Sequence, residues 1–251
     1  MHPTRFVTIA VLITSPLAAQ GRITSRTVLQ ATKTVTGQAL EFPARGDKVI
    51  ATVGTIKTKG QSGALTMRFP TSIHVLSGTV SLEITGKAPR AFKTGEAFVA
   101  PTRTAFTLAN RGTVPTRFIA VAFAGEATPF AEQGAGARDF KADTVLETTT
   151  TWAGEPIIFP SGANQISVLM TSVPTAAVIA KHTHAHTQFV YMLEGEHTVE
   201  PAGHPRHSFS AGSAMIETTQ PHVGTNAGHD VDRFVTVFAG KAGVPLSTLV
   251  H

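Results

Sequence analysis

Hydrophobic positions along the chain come in short runs that are rich in β-branched and aromatic residues. The clearest runs are KVIATVGTI (48–56), TVSLEI (79–84), RFIAVAF (117–123), QISVLMT (165–171) and RFVTVF (233–238). Gly, Pro and Asn separate these runs, as is typical of strands joined by turns. Helical periodicity is weak and confined to residues 125–140. Many short strands without intervening helices predict an all-β protein, either a sandwich or small barrels.

The same pattern occurs twice in the chain. The dipeptide Phe-Pro at residue 42 recurs 117 residues later. The segment HVLSGTVSLEITGKAPRAFKTGEAFV (74–99) recurs as YMLEGEHTVEPAGHPRHSFSAGSAMI (191–216), and RFIAVAFAGEA recurs as RFVTVFAGKA. Self-similarity at a fixed spacing indicates a duplicated structural unit. We therefore predict two barrels, at residues 20–126 and 141–251, joined by a Gly- and Ala-rich linker at 127–140.

Composition supports two folded domains and limits their partners. Charged residues are 15% of the chain and hydrophobic residues 42%, which is enough apolar material for two cores. The net charge is +5, and Lys and Arg are scattered along the chain. Because a nucleic-acid-binding protein concentrates its basic residues in a patch or stripe, we expect no nucleic-acid partner.

The first nineteen residues have the pattern of a secretory signal peptide. Arg5 precedes the apolar stretch FVTIAVLIT, and small residues at 18–19 precede polar Gln20. The apolar stretch is shorter than the ~20 residues that span a bilayer. Cleavage after Ala19 would leave a periplasmic or secreted protein with no membrane attachment. The alternative is a buried first helix or strand. The chain has no Cys, so it has neither disulfides nor thiolate chemistry.

The stretch AKHTHAHTQFVYMLEGE (180–196) carries the clearest chemical signal. Side chains alternate across a strand, so His182 and His184 share one face, close enough to bind one ion. The same alternation directs Val190 and Met192 towards the barrel interior, where they would line a pocket, and Phe189 and Tyr191 outwards. The alternative is a polar strip on a solvated strand.

Two ordered motifs make this region similar to the cupin family. The first is His182-x-His184, three residues, Gln188, six residues and Gly195. The second is Gly212, then Pro221-His222, three residues and Asn226. The resemblance extends over residues 159–240. With the duplicated frame, the whole chain resembles a bicupin, a tandem pair of jelly-roll barrels.

The resemblance implies a metal site formed by His182, His184, Gln188 and His222. Imidazole-rich sites suit one divalent transition metal per chain, whether Zn, Fe, Cu, Ni or Mn. Cupins usually have Glu where this chain has Gln188. With an amide in that place the ion keeps its full double charge, so we expect an anionic small-molecule ligand. The alternative is that Gln188 points away and the site has three histidines.

Several other histidines are less clearly placed. His186 has the same strand parity and is interpreted as an additional ligand, a residue that supports a ligand, or an exposed histidine in the turn. The remaining candidates match no motif position and are expected at the surface or in hairpins: His197, His204, His207 and His229.

The first copy lacks the ligand set. Positions equivalent to the four ligands carry Leu65, Met67, Thr71 and Phe106. Since these side chains do not suit a hard or borderline cation, we expect the N-terminal barrel to be structural.

The resemblance implies a secreted metal-dependent enzyme, with a dioxygenase acting on a small enolic or carboxylic substrate as the first hypothesis. An isomerase, a lyase or a decarboxylase is the second. The alternatives are a non-catalytic, metal-dependent binding protein resembling the germins, or a double barrel without metal. No catalytic residue is assigned from the sequence, and a homodimer is implied by the family alone.

Overall fold

The computed structural model describes residues 21–44, 46–125, 130–162 and 164–250, and within them the regular structure consists of β-strands. The expected signal peptide at 1–19 lies outside the described residues. In these described ranges there is no helix long and apolar enough to cross a membrane. The five runs that the sequence predicted as strands lie in strands, except for Ile84 at the end of the second run, which confirms the all-β prediction.

The strands of the first copy are β1 (Thr24–Ala31), β2 (Lys48–Met67), β3 (Thr71–Ser77), β4 (Thr79–Glu83), β5 (Arg90–Lys93), β6 (Ala97–Val99), β7 (Phe106–Ala109), β8 (Thr116–Ala124) and β9 (Ala131–Gln133). Those of the second copy are β10 (Ala137–Thr148), β11 (Asn164–Val173), β12 (Val178–Thr183), β13 (Thr187–Glu194), β14 (Glu196–Pro201), β15 (His207–Ser210), β16 (Ala214–Ile216), β17 (His222–Asn226), β18 (Asp232–Lys241) and β19 (Thr248–Leu249).

Each copy closes its strands around its own interior. In the first copy the order is β5-β4-β7-β2-β8-β3-β6, with β9 and β10 also paired to the long β2. In the second copy one sheet has the order β1-β11-β18-β13-β16 and the other β15-β14-β17-β12-β19. The two sheets of the second copy enclose the site described below.

The two copies exchange their first strands. β1 belongs to the first copy by sequence, but it pairs with β11 of the second, with Ala31 opposite Ile166. The equivalent β10 pairs with β2 of the first copy, with Thr148 opposite Val49. Both pairs shift register at the same place in the shared Thr-Val-Leu sequence, between Thr27 and Leu29 in β1 and at the matching residues of β10.

This exchange corrects the expected boundaries. The segment 127–140 is more than a linker, because β9 and the start of β10 lie within it and add to the first barrel. Residues 20–126 likewise do not form a separate unit, because β1 completes a sheet of the second barrel. Short-range sequence patterns identify strands, but the choice of partner strand depends on contacts between residues far apart in the chain, such as Thr148 with Val49 and Ala31 with Ile166.

A shared apolar cluster holds the two barrels together. Equivalent residues of both copies enter it, including Val49 with Ile166 and Phe42 with Phe159. The rings of Phe42 and Phe159 have centroids 5.5 Å apart, and such aromatic pairs stabilise a core beyond their buried area. Phe189 and Tyr191 also lie in this cluster. Strand alternation predicted that these two side chains face out of their own barrel, and in the structure they face the other barrel.

The two barrel interiors differ. The first contains fourteen buried hydrophobic residues, including Leu65, Met67 and Phe106. The corresponding cluster of the second contains seven, among them Val190 and Met192. The second interior therefore has space for polar groups and a cavity.

Candidate metal centre

Strand pairing brings three histidines together inside the second barrel. His182 on β12 is the direct partner of His222 on β17, so their side chains lie on the same face. His184 follows β12 in the turn towards β13. The ring centroid of His182 lies 4.8 Å from that of His184 and 4.3 Å from that of His222. One nitrogen of each ring lies within 4.8 Å of the others, close enough for one ion to contact all three.

Each of these rings is oriented by a backbone carbonyl. Nδ1–H of His182 donates to the carbonyl of Ala180 at 2.8 Å, and that of His222 donates to the carbonyl of Gln220 at 2.8 Å. Nδ1–H of His184 donates to the carbonyl of Leu246 at 2.9 Å. This hydrogen bond is what fixes the tautomer of metal-binding histidines, because it leaves the Nε2 lone pair for the ion.

The Nε2 atoms supply the test of whether a metal fits. Those of His184 and His222 are buried and have no hydrogen-bond partner among the described residues. Leaving buried polar atoms unpaired is costly, and native proteins rarely do so without a reason. Three imidazoles with free Nε2 atoms are a suitable donor set for a divalent transition metal.

Gln188 lies in the same cavity. It is on β13, in the sheet that faces the histidine strands, and its side chain is buried. Its amide nitrogen donates to the carboxylate of Glu217, while its Oε1 has no partner among the described residues. The structure therefore places the amide with the histidines rather than pointing away, and it shows a carboxylate in contact with it.

Glu217 is the functional residue that the sequence interpretation missed. It directly follows β16, and its backbone N–H donates to the carbonyl of Gln188 at 2.9 Å. Its Oε1 lies 3.2 Å from Nε2 of His222 and its Oε2 lies 3.7 Å from Nε2 of His184. The repeat offered a signal, because the equivalent residue of the first copy is Ala100.

Glu217 corrects the expected charge of the site. Three neutral imidazoles and an amide would leave a divalent ion with its full charge, but the buried carboxylate beside them would neutralise half of it. The carboxylate that cupins usually have at the position of Gln188 is here supplied by the neighbouring strand. The two residues share one hydrogen bond, so they act as a unit.

The electrostatics of the cluster suit metal binding. Burial lowers the pKa of His182 and His184, the latter to about 4, so both are neutral ligands at pH 7. Burial alone would raise the pKa of Glu217, but contact with His222 and the charge of His184 lower it to about 2. Burial lowers the pKa of His222, but Glu217 outweighs this effect and the pKa is raised. Glu217 therefore stabilises the protonated form of His222 in the metal-free site.

A second acidic residue positions the loop between Glu217 and His222. Glu155 accepts hydrogen bonds from the hydroxyl and backbone N–H of Thr219, from the hydroxyl of Thr218 and from the amide of Gln220. Burial raises the pKa of Glu155, but these hydrogen bonds outweigh it and lower the pKa to about 2. The loop that carries the site is thus attached to the segment preceding β11.

The site opens into a cavity of about 220 Å³. Val190, Met215 and Phe234 form part of its apolar wall, while Ile23 of the N-terminal segment and Leu249 of β19 lie at its border. Met192 was expected in this wall but is packed among Val199 and Phe209 in the barrel core, and Met215 takes the wall position opposite Val190. Val190 lines the cavity as predicted from strand parity.

The structure places two further histidines, and His197 differs from its interpretation. His186 is half-buried and does not line this cavity; its ring packs over Gly240 near Lys241, so it is not an additional ligand. His197 was expected at the surface but is 3% exposed and borders the cavity. The sequence pattern around His197 did not indicate that it would be buried, because its hydrogen-bond partner Asp232 is 35 residues away in the chain.

Asn226, the last residue of the second motif, is structural. Its amide donates to the carbonyls of Val173 at 2.8 Å and Asp230 at 2.7 Å. Asn110 makes the equivalent pair of bonds in the first copy. Because the first copy lacks the histidines, this asparagine belongs to the frame rather than to the metal site.

Solved structures share this architecture. Oxalate decarboxylase from Bacillus subtilis matches with a TM-score of 0.61 and 11% identity over 90% of this chain and 76% of its own. Pumpkin seed globulin matches with a TM-score of 0.60 and 12% identity over 91% of this chain and 87% of its own. AerE from Microcystis aeruginosa matches with a TM-score of 0.55 and 13% identity over 77% of this chain and 88% of its own. The chain has the bicupin fold. No family model matches the sequence, and no curated protein sequence matches it.

In this bicupin the groups suited to hold a metal are confined to one barrel among the described residues. Leu65 and Met67, which replace His182 and His184 in the first copy, are buried in its apolar core together with Phe106. Identity with the solved structures is low, so the likeness establishes the fold, and the chemistry has to be argued from the residues of this chain.

Proposed function

We propose that the protein is a metal-dependent enzyme that acts on a small enolic or carboxylic compound in its C-terminal barrel. The observation that carries this proposal is the convergence of three buried histidines, each with Nδ1 bonded to a carbonyl and Nε2 free, at the wall of a cavity of about 220 Å³. The ion is one divalent transition metal, chosen among Zn, Fe, Cu, Ni and Mn. Such an ion, when bound, supplies Lewis-acid chemistry and, if redox-active, electron transfer.

The residues of the chain have separable tasks in this proposal. His182, His184 and His222 hold the ion, and Glu217 reduces its net charge. Gln188 holds Glu217 in place through the amide hydrogen bond. The wall formed by Val190, Met215 and Phe234 excludes water and receives the apolar part of the ligand.

Dioxygenation is the first reaction to test, because an enolic oxygen and an imidazole-bound transition metal suit oxygen chemistry. Decarboxylation is the second, since a solved structure with the same architecture is an oxalate decarboxylase. A non-catalytic, ligand-binding role is the competing function, because pumpkin seed globulin covers 91% of this chain with a similar TM-score. We also propose that the protein is periplasmic or secreted, from the pattern of residues 1–19.

Elemental analysis tests the central claim. Protein purified from its own host, from each cell fraction separately, should carry about one transition-metal ion per chain. The His182→Ala/His222→Ala variant should carry almost none, while a His204→Asn/His207→Asn control should resemble the wild type. Equal metal in all three proteins contradicts the proposal, and recovery only from the cytoplasm contradicts secretion.

Gas exchange then separates the reactions. The metal-loaded protein is incubated with a panel of small enols and carboxylic acids while dissolved oxygen and released CO2 are measured. Oxygen uptake in proportion to product supports dioxygenation, and CO2 release without oxygen uptake supports decarboxylation. Calorimetric binding of a panel member without turnover favours the binding function.

A further inference from the structure

A second polar group faces the cavity from the strand next to the histidines. His197 lies on β14, is 3% exposed, and borders the cavity together with Gly224 and Phe234. Its Nδ1–H donates to Oδ2 of Asp232 at 3.0 Å, and Asp232 is fully buried. This bond leaves the Nε2 lone pair as an acceptor, in the arrangement of a histidine base oriented by a carboxylate.

The backbone around His197 is shaped to admit its ring. A Cβ added at Gly224 would lie 2.6 Å from Nε2 and 3.2 Å from Cε1 of His197. Any residue larger than glycine would therefore displace the ring. Gly224 is two residues beyond His222 on β17, so the ring of His197 lies over the same face of the strand as the His222 side chain.

The first copy shows that the fold does not need this pair. Val80 and Leu108, both fully buried, stand at the positions of His197 and Gly224. Thr116 stands at the position of Asp232, and its hydroxyl accepts from the backbone N–H of Thr79 at 3.1 Å. In the second copy, Oδ1 of Asp232 accepts the equivalent hydrogen bond from the backbone N–H of Glu196 at 2.9 Å. The other oxygen, Oδ2, is left to accept from Nδ1–H of His197.

We propose that His197, oriented by Asp232, is the proton acceptor for a hydroxyl group of the ligand in this cavity, an inference that rests on the proposed function. The O–H bond of an enol or catechol breaks, its electron pair stays on the ligand oxygen, and the proton moves to Nε2 of His197. Asp232 balances the imidazolium charge. His197 lines the same cavity as His182 and Glu217, so the ligand oxygen would lie between the base and the metal centre.

Catechol is a suitable probe, because it is small enough for the cavity and both of its hydroxyls are protonated at pH 7. Its binding to the zinc-loaded full chain is measured by calorimetry in two buffers of different ionisation enthalpy, which counts the protons released. Compared with the wild type, His197→Asn should bind catechol at least tenfold more weakly, as expected for loss of a hydrogen bond to a charged group. It should also release about one more proton per ligand, because the internal acceptor is gone.

Two further variants keep the test decisive. Gly224→Ala should displace the ring of His197 and produce the same two changes, so it decides the outcome if His197→Asn does not fold. His204→Asn, an exposed histidine outside the cavity, should behave as the wild type. Zinc content is measured in every sample, and wild-type protein without zinc would contradict the proposed function itself. The proposed role of His197 is wrong if zinc-loaded His197→Asn binds catechol as tightly as the wild type. It is also wrong if this variant binds catechol more weakly but releases the same number of protons as the wild type.

Discussion

The two barrels share one frame and differ in what fills it. Both have the same turn glycines, the same structural asparagine and the same exchanged first strand. The first interior is closed by Leu65, Met67 and Phe106, whereas the second has histidines at those three positions. The frame is therefore stable with either set, because the shared core between the barrels and the strand ladders do not depend on the interior residues.

The difference also shows which changes belong together. His197 with Gly224 and Asp232, and Gln188 with Glu217, are polar contacts whose members are all replaced in the first copy. A buried polar group without its partner costs about 1–3 kcal/mol, so each polar substitution requires its partner. The site thus consists of linked groups rather than independent residues. Of the four predictions below, three exchange residues between the copies, and one exchanges two residues within the second copy.

The largest effect is expected from giving the second barrel the contents of the first. The variant His182→Leu, His184→Met, Gln188→Thr, Glu217→Ala and His222→Phe replaces five polar residues by their counterparts. This variant should fold, and its metal content should fall from about one ion per chain to almost none. Its unfolding temperature should be several degrees above that of the metal-free wild type, because unpaired buried polar atoms are removed. Elemental analysis and thermal unfolding followed by circular dichroism measure both effects. Retained metal would locate the site elsewhere.

The carboxylate position is tested by Gln188→Glu, which restores the residue that cupins usually have. Here it would bury two carboxylates in contact, and the metal-free protein should lose about 2–4 kcal/mol in its free energy of unfolding at pH 7. Exchanging the two residues, with Gln188→Glu and Glu217→Gln together, should recover most of this loss. Urea unfolding measures the cycle, and Gln30→Glu on the exposed face of β1 is the control. A single variant as stable as the wild type would contradict the contact.

A buried histidine between the barrels predicts a pH effect. His74 stands at the position of Tyr191, and burial, with a smaller effect of the Arg26 charge, lowers its pKa to about 4. The unfolded chain binds this proton near pH 6.5, so stability is complete above that pH and falls as pH decreases towards 4, by up to about 3 kcal/mol. His74→Tyr should remove this part of the pH slope. His229→Tyr at the exposed surface should keep it, and equal slopes in the two variants would contradict the assignment.

The smallest effect is expected at Glu155, whose counterpart in the first copy is Gln38. Gln38 also accepts from its neighbouring loop, through the N–H of Thr102 at 3.1 Å. Since Glu155 is partly exposed, Glu155→Gln should lower the free energy of unfolding by only about 1 kcal/mol at pH 7. Metal affinity should fall a few-fold, because the loop carrying Glu217 and His222 is held less firmly. Urea unfolding and competitive metal titration measure these changes, and a loss larger than that of Gln188→Glu would reverse the order predicted here.

Much of the architecture was accessible from the sequence. The alternation of apolar residues identified the strands, and the spacing of the repeat identified two copies of one fold. Strand parity also separated Val190, which lines the cavity, from Tyr191, which faces the other barrel. These features depend on positions close together in the chain, where a period of two has a direct geometric meaning.

The exchange of β1 and β10, the place of Glu217 and the burial of His197 depend on the tertiary structure. Each results from pairing between strands that are distant in sequence, which decides whose carbonyl orients His184 and whose carboxylate meets Gln188. The alternating pattern says on which face of a strand a side chain lies, but not which strand faces it. The sequence by itself therefore determined a duplicated β-fold with His182 and His184 directed to one side, and its resemblance to cupins added His222. The tertiary structure decided that a carboxylate from a neighbouring strand, and a histidine–aspartate pair next to the metal centre, complete the cavity.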